Sequence, residues 1–179
     1  MSQLYTYEET RPPEVITGCG YCLSPEETPD LVCFRDLWTV RLHPKQAHLG
    51  TIIACTMRHA PKVSELTHEE LADFQFVMSN LEHALREAFG TALLNYACSM
   101  NYAFRSEDPN PPFEDGKPSP HVRWQIYPRY PKPVAFAGVR FEDPTFGAPN
   151  ITGRDMAIGG GVRKAIRQRM IERLDVKRL

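Results

Sequence analysis

Two short stretches hold the residue types that do chemistry. The first is Cys19-Gly20-Tyr21-Cys22, a C-x2-C pair. Two thiolates at this span can share one tetrahedral metal ion, and a closed site needs two further ligands, for which histidine is the usual supply. The same pair can instead be read as a thiol–disulfide couple, which belongs at a helix start after a strand; here Ser24-Pro25 and other turn residues follow. The second stretch runs from His121 to Ile126. In an extended strand His121, Arg123 and Gln125 project to one side, and Val122, Trp124 and Ile126 to the other. The second set makes a core face. Three polar groups side by side are too costly to bury unpaired, so the first set requires water, hydrogen-bond partners, a metal or a ligand.

Six histidines are available to complete a metal site. His68 and His83 fall on a helix away from its apolar stripe and read as surface residues. His43 and His48 fall in a loop between strands and read as solvent-exposed. His59 follows a strand and His121 opens another; spacing leaves open whether the two meet at the cysteines. Cys33, Cys55 and Cys98 sit in apolar runs and read as buried thiols. Five cysteines are an odd count and do not make a dense disulfide scaffold.

The elements that must position these residues follow from local pattern. Residues 31–34 and 38–42 are β-prone runs split by Arg35-Asp36, as in a hairpin. Residues 50–57 are the most apolar strand candidate. Thr67 and Glu70 form a capping box ahead of Leu71, Phe74, Met78, Leu81, Leu85 and Ala88, whose three-and-four spacing predicts one long amphipathic helix stopped by Gly90. A strand is expected over 92–97 and another over 121–127, closed by Pro128. Between them, residues 102–120 carry five prolines and little periodicity, either a functional loop or a plain surface excursion. Residues 133–147 hold short β-prone pieces. Gly159, Gly160 and Gly161 lead into a helix from about Val162, with Val162, Ala165, Ile166 and Met170 inward and Arg163, Lys164, Arg167 and Arg173 read as solvated.

The chain has 179 residues, enough for one domain with a real core, and a formal net charge of -1. That balance gives no bulk attraction to nucleic acid or to an anionic membrane, so phosphate recognition has to be local. No window is apolar for long enough to cross a bilayer. The amino-terminal sequence lacks the pattern of a secretory signal, which makes cytoplasm the expected location.

Taken in order, the motifs resemble the histidine triad (HIT) superfamily, in the zinc-containing branch similar to galactose-1-phosphate uridylyltransferase. The matching stretches are the C-x2-C pair, residues 50–59 with 64–74, 95–101, 121–130 and 136–147, which span most of residues 19–147. The resemblance implies an α+β fold: a HIT-like antiparallel sheet with one long helix packed on it and a C-terminal helix. It implies an arm over 1–18, a domain over 19–147 interrupted by the proline-rich insertion 102–120, and an extension over 148–179. It also implies a homodimer, a nucleotide pocket at the histidine-bearing strand, and a structural Zn2+ held by Cys19, Cys22, His59 and His121. Four protein ligands would clip the amino-terminal segment onto the sheet and leave no open coordination position for substrate.

The departure lies at Arg123. Active members of the superfamily carry His-x-His-x-His or His-x-His-x-Gln, and the middle histidine attacks the α-phosphorus. A guanidinium has no free lone pair and stays charged, so it can grip a phosphate through two N–H donors but cannot become bonded to it. Gln125 retains the amide that transferase-like members use on phosphate oxygen. The resemblance therefore implies a nucleotide- or phosphate-binding protein without the usual histidine nucleophile, with Arg123, Gln125, Asn101 and Asn95 at the ligand and no residue assigned to catalysis. One alternative is a hydrolase or transferase acting on dinucleoside polyphosphates by a non-covalent route, with Glu107, Asp108 or Asp115 activating water. Another is a non-catalytic structural or regulatory protein in which Arg123 pairs with an acid of its own insertion.

Overall fold

The computed structural model describes residues 18–149 and 156–174; residues 1–17, and with them nearly all of the expected arm, lie outside, as do 150–155 and 175–179 of the expected extension. Among the described residues seven strands and two α-helices follow in order: β1 (Leu31–Arg35), β2 (Trp38–Leu42), β3 (Ile52–Thr56), α1 (His68–Phe89), β4 (Leu93–Cys98), β5 (Arg123–Arg129), β6 (Val134–Phe136), β7 (Val139–Phe141) and α2 (Gly160–Ile171). The first five strands form one antiparallel sheet in the order β1-β2-β3-β5-β4, and β6 and β7 a separate hairpin. This is the expected α+β arrangement, with a long helix and a C-terminal helix on one sheet.

One sheet face is apolar. Trp38, Val40, Leu42, Ile52, Ala54, Val122 and Ile126 pack there against Val77, Met78, Leu81, Ala84, Leu85 and Phe89 of α1 and Ile166 and Met170 of α2. The capping box forms as expected: Thr67 Oγ1 accepts from Glu70 N, and Glu70 Oε2 accepts from Thr67 N. Gly90 ends the helix in the left-handed region, where its N–H bonds Arg86 O. Gly50 is fixed twice over. Its φ is +82°, and a Cβ there would stand 2.9 Å from Leu85 Cδ2, so the β2–β3 connection can lie flat on α1 only without a side chain.

Two details depart from the sequence pattern. Leu71 is 46% exposed, because the first turns of α1 meet the β1–β2 turn through polar groups. Trp38 Nε1 donates to Glu70 O, Leu37 N donates to Asp73 Oδ2, and Arg35 pairs with Asp73 at 2.8 Å. Buried Glu70 and Asp73 take the position that apolar spacing gave to Leu71. Strand β5, in turn, starts at Arg123 and runs through Pro128. Proline is tolerated there because β3 pairs with β5 only as far as Ile126, so Pro128 has one neighbouring strand rather than two. Lys164 on α2 and Arg173 just beyond its end are exposed, but Arg163 donates to Asp30 Oδ2 and Pro44 O, and Arg167 to Leu31 O. These two arginines pin the helix to the start of β1.

Candidate metal centre and the polar strand

The second face of the sheet carries the chemistry. Cys55 stands opposite Arg123, and Ile53 lies between Arg41 of β2 and Gln125 of β5. The segment Cys19–Cys22 covers this face, and Cys19, Tyr21 and Cys22 are buried against Ile53 and Cys55. The turn closes on itself through Cys22 N–H to Cys19 O. Both thiols are thereby brought over the end of β3, next to His59, which follows that strand, and His121, which precedes β5 by two residues.

Cys19, Cys22, His59 and His121 offer four ligand atoms within 4.8 Å of one another. Cys19 Sγ is 3.3 Å from His121 Nδ1, and Cys22 Sγ is 3.3 Å from His59 Nδ1 and 3.4 Å from His121 Nδ1. With zinc–sulfur bonds of ~2.3 Å and zinc–nitrogen bonds of ~2.0 Å, the sulfur–nitrogen edge of a tetrahedron is ~3.5 Å. The donors fit such an ion in type, number and spacing. A hydrogen bond from Cys22 and the His121 ring outweigh burial and draw the Cys19 thiol down to about 3, the thiolate form that a metal takes. Both histidines turn Nδ1 inward and engage Nε2 elsewhere: His121 with Thr56 O at 2.8 Å and Thr56 Oγ1 at 3.0 Å, His59 with Ser119 Oγ at 3.1 Å. Metal-bound histidines commonly have a partner on the far nitrogen, which fixes the ring and its tautomer.

Arg123 is the next polar residue along the same face. Its side chain is among the largest that are fully buried, and the residue is 2% exposed. The guanidinium carbon lies 4.3 Å from the centre of the Tyr21 ring and 6.0 Å from that of Tyr102, and Nη1 reaches His121 O only at 3.5 Å. Among the described residues no carboxylate pairs with it. Arg41 reaches the same Tyr21 ring from β2 at 4.9 Å and donates to Gly20 O. Tyr21 thus sits over β3 with one cation arriving from each flanking strand.

The other candidates are dispersed. Gln125 is half-buried, and its Oε1 accepts from Tyr127 OH. Asn95 Oδ1 accepts from Arg129 Nη1, and Asn101 is exposed at the start of a short 3-10 turn ahead of Tyr102. Glu107, Asp108 and Asp115 are exposed. His48 is buried rather than solvated, 3.8 Å from Asp143. Cys33 and Cys55 are buried, and burial pushes their thiols up to about 12 and about 11. Tyr21, Arg41 and Thr56 escaped the sequence reading. Tyr21 had a signal, being enclosed by the cysteine pair; the other two have none until the strands are laid side by side, and Ser119, which its flanking prolines set apart from the serine or threonine that the resemblance places before the triad, meets His59 only in the fold.

No protein-family model and no curated protein matches the sequence. Solved structures do. A histidine triad protein from Sinorhizobium meliloti superposes with a TM-score of 0.57 at 18% identity, over 85% of this chain and 96% of that one. The chain has the histidine triad fold. A Zn-bound histidine triad family protein from Mycobacterium smegmatis aligns with a TM-score of 0.54 at 13% identity, over 86% of this chain and 94% of that one. A hypothetical histidine triad nucleotide-binding protein from Sulfolobus tokodaii gives 0.51 at 13% identity, over 80% and 81%. Within this histidine triad fold the middle position of His121-x-Arg123-x-Gln125 is arginine.

Proposed function

We propose that this chain binds a nucleotide or another phosphate ester without covalent chemistry and carries a structural zinc ion on Cys19, Cys22, His59 and His121. The observation that carries the ligand half is the Arg123 guanidinium, 2% exposed and without a carboxylate partner among the described residues. Taking a charge out of water costs several kcal/mol unless an opposite charge meets it (about that order for one ion). A tyrosine ring and a long contact to one carbonyl do little of that, whereas a phosphate would do it fully. An arginine stacked by its face keeps its in-plane N–H donors for an anion, and Arg41 on the same ring adds a second cation. Nucleotide binding in the Sulfolobus tokodaii protein's name is consistent with this use of the fold.

Arginine at the middle position removes the nucleophile. The neutral imidazole that could attack phosphorus and leave again is replaced by a permanent cation, and Glu107, Asp108 and Asp115 are exposed and unpaired with Arg123. The metal, with four protein ligands, would supply folding energy and no reactive position. The Zn-bound Mycobacterium smegmatis protein supports zinc as the ion. We take the protein to be a homodimer, in which the free edge of β4 is where a second copy would extend the sheet.

Calorimetric titration with adenosine monophosphate tests the ligand reading. Arg123→Ala should weaken binding at least tenfold while leaving one zinc per chain. Unchanged affinity, or a nucleotide trapped covalently on the protein, would overturn it.

A further inference from the structure

We propose that Ser119 and Glu114, both on the proline-rich loop, are positioning residues of the metal centre: they set the tautomer of His59 so that its Nδ1 is free for the ion. The inference rests on the metal reading above and adds a role for the loop. His59 Nε2 lies 3.1 Å from Ser119 Oγ, and that oxygen lies 3.4 Å from Glu114 Oε2. A hydroxyl can donate or accept, so Ser119 alone could face His59 either way. A carboxylate only accepts. With Glu114 accepting a hydrogen bond from the serine hydroxyl, Ser119 Oγ presents its lone pair to His59, Nε2 carries the ring proton, and Nδ1 keeps its lone pair toward Cys22. In the reverse arrangement the serine would donate to Nε2 and push the proton onto Nδ1, against the thiolate.

His121 shows the same polarity achieved by backbone. Its Nε2 meets Thr56 O at 2.8 Å, a carbonyl that can only accept. One histidine is therefore oriented by β3 and the other by the loop.

The loop has local structure suited to this. Glu114 and Lys117 exchange both backbone hydrogen bonds at 2.9 Å, and Asp115 and Gly116 between them have φ of 48° and 73°. That is the Asp-Gly turn of a tight hairpin, and it holds Glu114 close to Ser119. Pro118 and Pro120 restrict the backbone on either side of Ser119. The loop also rests on the cysteine turn: Cβ atoms added at Gly18 and Gly20 would stand 3.4 Å from Pro112 Cγ and 3.5 Å from Asn110 Oδ1. Its two attachments thus touch both halves of the ligand cluster.

The test is zinc affinity of the full chain, measured by competition with a chromophoric chelator, with cobalt substitution as a spectroscopic check on ligand geometry. Ser119→Ala and Glu114→Lys should each weaken zinc about 10–100-fold, the usual effect of losing an outer partner, and shift the cobalt spectrum. Ser119→Thr, which keeps the hydroxyl, should restore wild-type affinity. Glu114→Lys is the decisive variant, since Glu114 is exposed and an ammonium can only donate. If both variants hold zinc within twofold of wild type while wild type binds one equivalent, the positioning role is wrong and the metal reading stands. If wild type binds no stoichiometric zinc, both are wrong.

Discussion

The side chains of Arg129 and Asp143 are each 1% exposed and are joined at 2.6 and 3.1 Å, with Tyr130 N, Asn95 Oδ1 and the carbonyls of Thr145 and Ala148 filling the remaining positions. The pair fastens residues 143–148 to the end of β5. Burial alone would raise the Asp143 carboxyl, but the Arg129 guanidinium and the Tyr130 N–H outweigh it and hold the carboxyl below the usual range. A carboxyl depressed in the folded state contributes stability that is complete above its unfolded value, about 3.9, and is lost as pH falls through the folded value. Acid unfolding of wild type should therefore steepen below about pH 4. Asp143→Asn, which leaves Arg129 buried and uncompensated, should cost about 3–5 kcal/mol at neutral pH and flatten that acid limb. Urea unfolding at pH 7 and at about pH 2, below the usual carboxylate range, measures both; equal losses of stability at the two pH values would show that the charge pair is not the cause.

At the scale of elements, the edges of the sheet differ in how they are covered. β1 is closed off by α2 through Arg163 and Arg167. Among the described residues β4 pairs only with β5, and Leu93 and Tyr96 on it are 41% and 38% exposed. An open edge is a template for a further strand unless charge or proline blocks it. Sedimentation equilibrium should give the mass of a dimer for wild type and of a monomer for Leu93→Lys; a monomeric wild type removes the proposed assembly. The sequence already displayed these elements where period and punctuation were strong. The helix cap at Thr67 and Glu70, the stop at Gly90 and the alternation of Val122, Trp124 and Ile126 all appear in the fold. The burial of Glu70 and Asp73 was not legible, because it depends on Arg58 and Arg35 arriving from other segments. For the same reason His121, Arg123 and Gln125 could be placed on one face but not covered: the cover, Tyr21, comes from about a hundred residues earlier.

At the scale of the whole molecule, the Cys19, Cys22, His59 and His121 cluster joins the cysteine turn, the end of β3 and the start of β5. An ion that binds only the folded chain stabilises it in proportion to the logarithm of its free concentration over Kd, about 2.7 kcal/mol at a hundredfold excess. Chelation should lower the melting temperature, and added zinc should restore it; superimposable calorimetric traces with and without chelator would rule out a structural ion. Arg123 shares its covers with the Cys/His cluster, since Tyr21 lies inside the cysteine turn and Tyr102 inside the loop that reaches His59 through Ser119.

The strand order β1-β2-β3-β5-β4 has a consequence for biosynthesis. β4 leaves the ribosome before β5 yet lies outside it, so among the described strands it has no partner to pair with until the later one slots in next to β3. Cys19 emerges 102 residues ahead of His121, and its thiol stays without that neighbour through the same interval. Closure of the sheet and completion of the Cys19, Cys22, His59 and His121 cluster thus wait on a single late segment, and a nascent chain halted before it would lack, among the described residues, both the strand that β4 pairs with and the His121 ring beside the two sulfurs.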